Sequence, residues 1–280
     1  MLFPPETKEI QFDEKWSFVE KKEKNCAEGE KEHGEHWDYV ALDAESRLIL
    51  SVVIGKRTPE NCKKIVEDVY ERTDRRKDIL ITSDCFSSYK TAIEEVYGDK
   101  IIPVRKSGPG RPPKNPITVM PEELCYGTVC KEYEKGHVSS IRREVVFGTE
   151  DVLSERLEDS KVSTTINTSF IERNNGTDRK QNSRKARDTY GFSKDLFCHV
   201  SISLLVFCLY NFCWCVRTLS FKENGKTIKR TPAMAAKLTT HIWSIEGWIT
   251  YPVYVGDKHL KDTEFYIKNG FTKQLQFSSS

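Results

Sequence analysis

The chain has 280 residues, of which 31% are charged and 38% hydrophobic, and a formal net charge of +2 at pH 7. That length can bury a full core, as one large domain or one domain with appendages. Near-neutrality excludes a uniformly basic nucleic-acid binder and moves attention to local charge.

The nine cysteines form no paired CxxC module. Met1 is followed by Leu-Phe-Pro-Pro-Glu instead of a charged segment and a long apolar one. Both features lead us to expect a reducing, intracellular setting without disulfides. Cys26, His33 and His36 lie close together, a loosely spaced and therefore weak zinc signal set against a solvated loop.

In chain order, Ile10–Glu20 alternates Ile10, Phe12, Trp16 and Phe18 with polar residues, the period of a strand. Residues 21–36 are charged and read as an exposed loop. Strands are then expected over 37–43 and 48–55, joined by a hairpin link. Thr58-Pro59-Glu60 starts a helix, with Thr58 as N-cap and Ile65, Val66, Val69 and Tyr70 on one face. A short buried strand, Ile79–Thr82, precedes a helix over 89–96 and a strand over 100–105. This order predicts an α/β fold of the RNase H-like kind, with a mixed five-stranded sheet flanked by helices.

A Gly/Pro/Lys-rich loop at 106–121 and a hairpin over 124–148 read as an insertion (about 106–150) within a domain spanning 8–220. Helical patterns dominate from about 150 to 220. The apolar stretch 200–216 is interrupted by Ser201, Ser203 and Asn211 and bounded by His199 and Arg217, so a buried core helix is expected instead of a membrane span. Residues 221–280 form a C-terminal extension with a short helix near 232–238.

Three carboxylates draw attention. Asp84 ends the buried strand, where open α/β sheets place ligands, and a turn or helix-capping role would also account for it. Asp13 points to the face opposite Ile10 and Phe12, at a cost unless paired or metal-bound, and Glu14 is a rival ligand. Glu172 opens a helix at capping-box spacing from Ser169. Yet Asn174, Asn175 and Gly176, poor helix formers, follow it immediately. Around them lie Arg173, Arg179, Lys180, Arg184, Lys185 and Arg187 against the single acid Asp178, local positive charge of the kind phosphate contacts need.

The segments FDEKWSFV, ILITSDCFSSYKTAI and NTSFIERNNGTDRKQNSRKARDT resemble the three acidic motifs of the insertion sequence 1 family of DDE transposases. RTPAMAAKLTTHIWSIEGWI (230–249) resembles a short block those enzymes carry after the catalytic domain. The resemblance runs from about residue 8 to 250. It implies a catalytic domain in which Asp13, Asp84 and Glu172 hold two Mg²⁺ (or Mn²⁺) ions for cleavage and strand transfer at transposon ends. Arg179 would contact the transposon end, with Arg173, Lys180 and Arg184 beside it.

Gly110-Arg111-Pro112-Pro113-Lys114 resembles an AT-hook, with Arg111 suited to a narrow minor groove, and a plain Pro-rich loop is the alternative. The implied partners are DNA and a second copy of the chain; no membrane is expected. Localisation with the DNA follows, in cytoplasm or nucleoid, or in a nucleus. Family members carry a zinc-binding and helix-turn-helix region before the catalytic domain, so an upstream-encoded DNA-binding domain is a further expected partner. Two other readings stay open: a catalytically inactive, truncated or domesticated DNA-binding derivative, and an RNase H-like nuclease that does not join strands.

Overall fold

The computed structural model describes residues 6–102, 115–186 and 188–251. Three antiparallel strands open it: β1 (Glu9–Val19), β2 (Gly34–Asp43) and β3 (Ile49–Gly55). α1 (Pro59–Arg72) follows, with Thr58 capping it by accepting from the Asn61 N–H. Its residues Cys62, Ile65, Val66 and Val69 lie at i, i+3, i+4 and i+7 and are buried, as an amphipathic helix requires.

β4 (Leu80–Asp84) lies parallel to β1, and α2 (Ser87–Tyr97) leads away from it. β5 (Asp99–Ile101) and β6 (Ile117–Val119) then form a small separate hairpin. The strand expected over 100–105 therefore does not join the main sheet where it is described. Its place beside β4 is taken by β7 (Cys125–Glu134), which runs parallel to β4 and pairs antiparallel with β8 (His137–Phe147).

The main sheet consequently has six strands, in the order β3-β2-β1-β4-β7-β8, and the hairpin read as an insertion is its far edge. Gly127 permits this packing. A Cβ there would come within 2.6 Å of the Ile166 side chain, which covers β7.

Three helices follow: α3 (Glu150–Ser160), α4 (Ser169–Gln181) and α5 (Leu196–Phe212). One sheet face carries Ile10, Phe12, Ile79 and Ile81 against Ile65, Val69, Tyr89 and Ile93 of α1 and α2. The other carries Val40, Leu42 and Ile49 against Ile171 of α4 and Phe207 and Tyr210 of α5. The result is a mixed sheet with helices on both faces.

α5 departs from the expected buried helix. His199, Ser203, Phe207 and Tyr210 are buried along one face, whereas Leu204, Leu205, Val206 and Leu209 are only half-buried. By length and composition alone the stretch Leu196–Leu219 is apolar enough to cross a membrane. A hairpin of β9 (Phe221–Glu223) and β10 (Lys226–Ile228) leads to α6 (Pro232–Ala235), capped by Thr231. Ala233 of α6 is fully buried in the first core, so the TPAMAA stretch has a packing role in this compact unit, which runs to Ile242. A second unit begins at Trp243; its described part is α7 (Ile245–Ile249), capped by Ser244, with Trp243 edge-on to Tyr251.

Candidate active site

The sequence of β1 splits by parity. Ile10 and Phe12 face the core under α1 and α2, while Gln11, Asp13 and Lys15 face α4. Each of the three engages α4 at a successive level. Gln11 Oε1 accepts from the Phe170 and Ile171 N–H groups at 3.0 and 3.1 Å, capping the helix from outside. This replaces the capping box expected between Ser169 and Glu172: Ser169 bonds Asn167 instead, and the Glu172 N–H donates to the Thr168 carbonyl.

Next along, Asn175 Nδ2 donates to Asp13 Oδ2 at 2.7 Å. Lys15 then pairs with Asp178 and, at 3.1 Å, with Asp38 of β2, which also binds Lys185. These four ions are sealed from solvent and balance two against two. Burial lowers the Lys15 ammonium to about 8 against the pull of Asp38. Burial would raise the Asp38 carboxyl, yet Lys185 and Lys15 hold it well below the ordinary carboxylate range. His199 closes this region, bonded to Ser193 at 2.8 Å and Ser17 at 3.2 Å. Burial, then the Lys185 charge, lowers it to about 4.

The acids lie at the other end of this seam. β1 and β4 are registered with Phe12 beside Ser83, and the next step brings Asp13 beside Asp84. Carboxylate oxygens of Asp13, Glu14 and Asp84 lie within 4.8 Å of one another, the only such group of three or more candidate metal ligands among the described residues. Burial, then the Asp84 and Glu14 charges, raises Asp13 to about 7. Asp84 and Glu14 are raised too, chiefly by burial. Glu14 Oε2 is buried without a hydrogen-bond partner.

Crowded, mutually repelling carboxylate oxygens suit a hard divalent cation, which takes carboxylate ligands and neutralises their charge. Asp84 also accepts from the Phe86 N–H at 3.1 Å, so its turn role and its place in the cluster coexist.

Glu172 lines the same cavity, of about 570 Å³, as Asp13 and Asp84, and its charge helps to raise Asp84. It stands outside the compact trio. There it accepts from Lys131 Nζ and Thr168 Oγ1, both at 2.5 Å. The cavity therefore gathers all three predicted acids, two within 4.8 Å of each other and the third elsewhere in its lining.

The cavity lining includes none of the predicted DNA contacts Arg173, Arg179, Lys180 and Arg184. Arg173 and Lys180 are exposed, Arg179 and Arg184 half-buried, and the Arg179 charge is felt at Lys15. Arg111 and the AT-hook-like segment lie outside the described residues. Cys26, His33 and His36 bond separately, to the Lys22 carbonyl, Glu30 and the Gly34 carbonyl.

Three cavity residues had no part in the sequence reading. Arg57 pairs with Glu14, and its guanidinium lies 4.5 Å from the Trp37 ring and 4.2 Å from that of Phe86. Lys131 holds Glu172. Cys85 follows Asp84 and forms a disulfide with Cys130, which contradicts the expectation of unpaired thiols. Their 45-residue separation hides the pairing, which only the parallel register of β4 and β7 creates. No protein-family model matches the chain, and no curated protein matches it either.

Proposed function

We propose that this chain is the catalytic domain of a DDE-type DNA transposase, using two divalent ions to cleave and join phosphodiester bonds at transposon ends. The observation that carries the reading is the meeting of Asp13 and Asp84 on adjacent parallel strands, with Glu172 lining the same cavity. The acidic motifs are those that resemble the insertion sequence 1 family. The strand order β3-β2-β1-β4-β7, antiparallel and then parallel, is compatible with an RNase H-like fold.

Asp13, Asp84 and Glu172 would hold the metal, with Glu14 as a fourth carboxylate in reach. When bound, a metal pair activates the attacking oxygen and stabilises the leaving one in an in-line displacement at phosphorus. The chain's own residues do the positioning. Asn175 fixes the Asp13 carboxylate, the Phe86 N–H fixes Asp84, and Thr168 and Lys131 orient Glu172. No side chain is needed as a covalent nucleophile, because water serves for cleavage and a DNA 3′-hydroxyl for joining.

The test incubates the protein with a pre-cleaved transposon end, target plasmid and magnesium or manganese. Joined products that disappear in Asp84→Ala support the reading. DNA binding without metal-dependent cleavage, even with an upstream DNA-binding domain added, would overturn it in favour of an inactive derivative. Cleavage of RNA–DNA hybrids without preference for ends would favour a nuclease.

A further inference from the structure

The acid-lined cavity presents an electrostatic problem to the substrate class proposed for it. Asp13, Asp84 and Glu172 line the cavity and Glu14 adjoins it, so a phosphodiester entering between them meets like charge. Two cations are built into the same walls. Arg57 enters from the link between β3 and α1, and Lys131 from β7.

Arg57 is held in place before any ligand arrives. Its guanidinium lies against two aromatic rings, Trp37 and Phe86, and it spends one NH₂ group on Glu14 Oε1. A guanidinium has five N–H donors, so donors remain for a second oxyanion, and its side chain is 40% exposed. A planar cation fixed by stacking loses little freedom on binding a phosphate, and its fork matches two phosphate oxygens. Lys131 is a flexible point charge with three donors, and it donates to Glu172. Phe86 and Tyr133 add ring surface to the same lining.

We propose that Arg57 and Lys131 form a two-cation clamp that binds the phosphodiester backbone of a polynucleotide across the acid cluster. The proposal rests on the reading of the cavity as a phosphodiester-processing site. Arg57 sets the position of the strand because it is immobile, and Lys131 adapts to it. Arg173, Arg179, Lys180 and Arg184 would then supply contacts outside the cavity, and the clamp those within it.

The test measures binding of a short fluorescent DNA duplex over a salt series, with calcium in place of magnesium. Wild type is compared with Lys131→Met, Lys131→Arg, Arg57→Met and Arg57→Lys. Each Met variant is expected to weaken binding about 10-fold and to reduce the slope of log Kd against log salt by about 1. Lys131→Arg should bind like wild type, whereas Arg57→Lys should recover the slope and only part of the affinity.

Arg57→Met leaves Glu14 unpaired and can unfold the chain. Circular dichroism monitors this, and Lys131→Met and Arg57→Lys carry the test if it happens. Unchanged affinity and slope in folded Lys131→Met and Arg57→Met or Arg57→Lys would overturn the clamp. Metal-dependent cleavage by wild type, read in parallel, separates the two claims. Cleavage with unaltered binding in the variants removes the clamp alone, and weakened, shallower binding without cleavage removes the catalytic reading alone.

Discussion

β1 carries two buried charge clusters two residues apart, and they differ in one respect. Around Lys15, positive and negative charges are equal: Lys15 and Lys185 against Asp38 and Asp178, closed off by His199. Around Asp13, three acids crowd together with one cation, Arg57, bound to the least accessible of them. The balanced cluster explains itself as the joint between α4 and the sheet. The unbalanced one has carboxyls raised by burial and mutual repulsion, a state that a protein tolerates where a ligand completes it. Burial of charge alone does not mark a site; uncompensated burial does.

The comparison breaks most visibly at Lys15. Replacing it with Met leaves Asp38 and Asp178 with only Lys185, and a loss of about 3–5 kcal/mol in urea unfolding is expected. Asp84→Asn relieves repulsion in the other cluster. It should leave the urea midpoint unchanged or higher while abolishing metal-dependent cleavage. Equal destabilisation by both changes would erase the distinction.

His199 tests the sealed side through pH. Its folded pKa of about 4 lies below the ordinary value of 6.5, so the unfolded chain takes up the proton first as pH falls. Its contribution to stability is full above pH 6.5 and declines toward pH 4, by about 3 kcal/mol in total. His199→Gln should flatten that limb of the stability–pH curve, and an unaltered slope would show that His199 is not held neutral.

Asn175 lies between the clusters. Its hydrogen bond lowers the Asp13 carboxyl, so Asn175→Ala should move Asp13 further above 7. Apparent magnesium affinity should fall about 10- to 100-fold, the usual effect of losing a group that orients a metal ligand, and the alkaline shift of the activity profile checks the cause. The smallest effect is expected at Gly176, exposed on α4, where an added Cβ meets nothing within 4 Å. Gly176→Ala should raise stability by about 1 kcal/mol without touching either cluster. A loss of DNA binding in that variant would reveal close approach of the backbone to a ligand.

Much of this was legible in the residues. The first four main-sheet strands, α1, α2 and the opposite orientation of Asp13 and Phe12 follow from alternation and helix-start signals. The Asn174-Asn175 pair stood out as a poor helix sequence, and its reason is now plain: Asn175 serves Asp13, and Asn174 is buried beside it.

Other features leave no local trace. Lys15 drew no attention and Lys185 was counted with the local positive charge, because their burial depends on acids brought from 7 to 163 residues away in the chain. β7 reads as one arm of an isolated hairpin, since its buried first half and exposed second half show no single period. Gln11 as a helix cap, Arg57 between two rings and the Cys85–Cys130 bond all depend on neighbours that only the fold supplies.

The engagement of α4 by Gln11, Asp13 and Lys15 has a consequence for how such a chain can vary. Glu172 takes its place from the first strand of the sheet and, through Lys131, from β7, and the length of the turn beyond Lys131 does not set that place. The exposed turn at Lys135-Gly136, where both residues adopt left-handed backbone, is thus free to lengthen or shorten. The number of residues separating the second and third acids can drift while the distances among their oxygens hold. Relatives of this chain are better sought by the spacing within β1 and within α4 than by the interval between their acids.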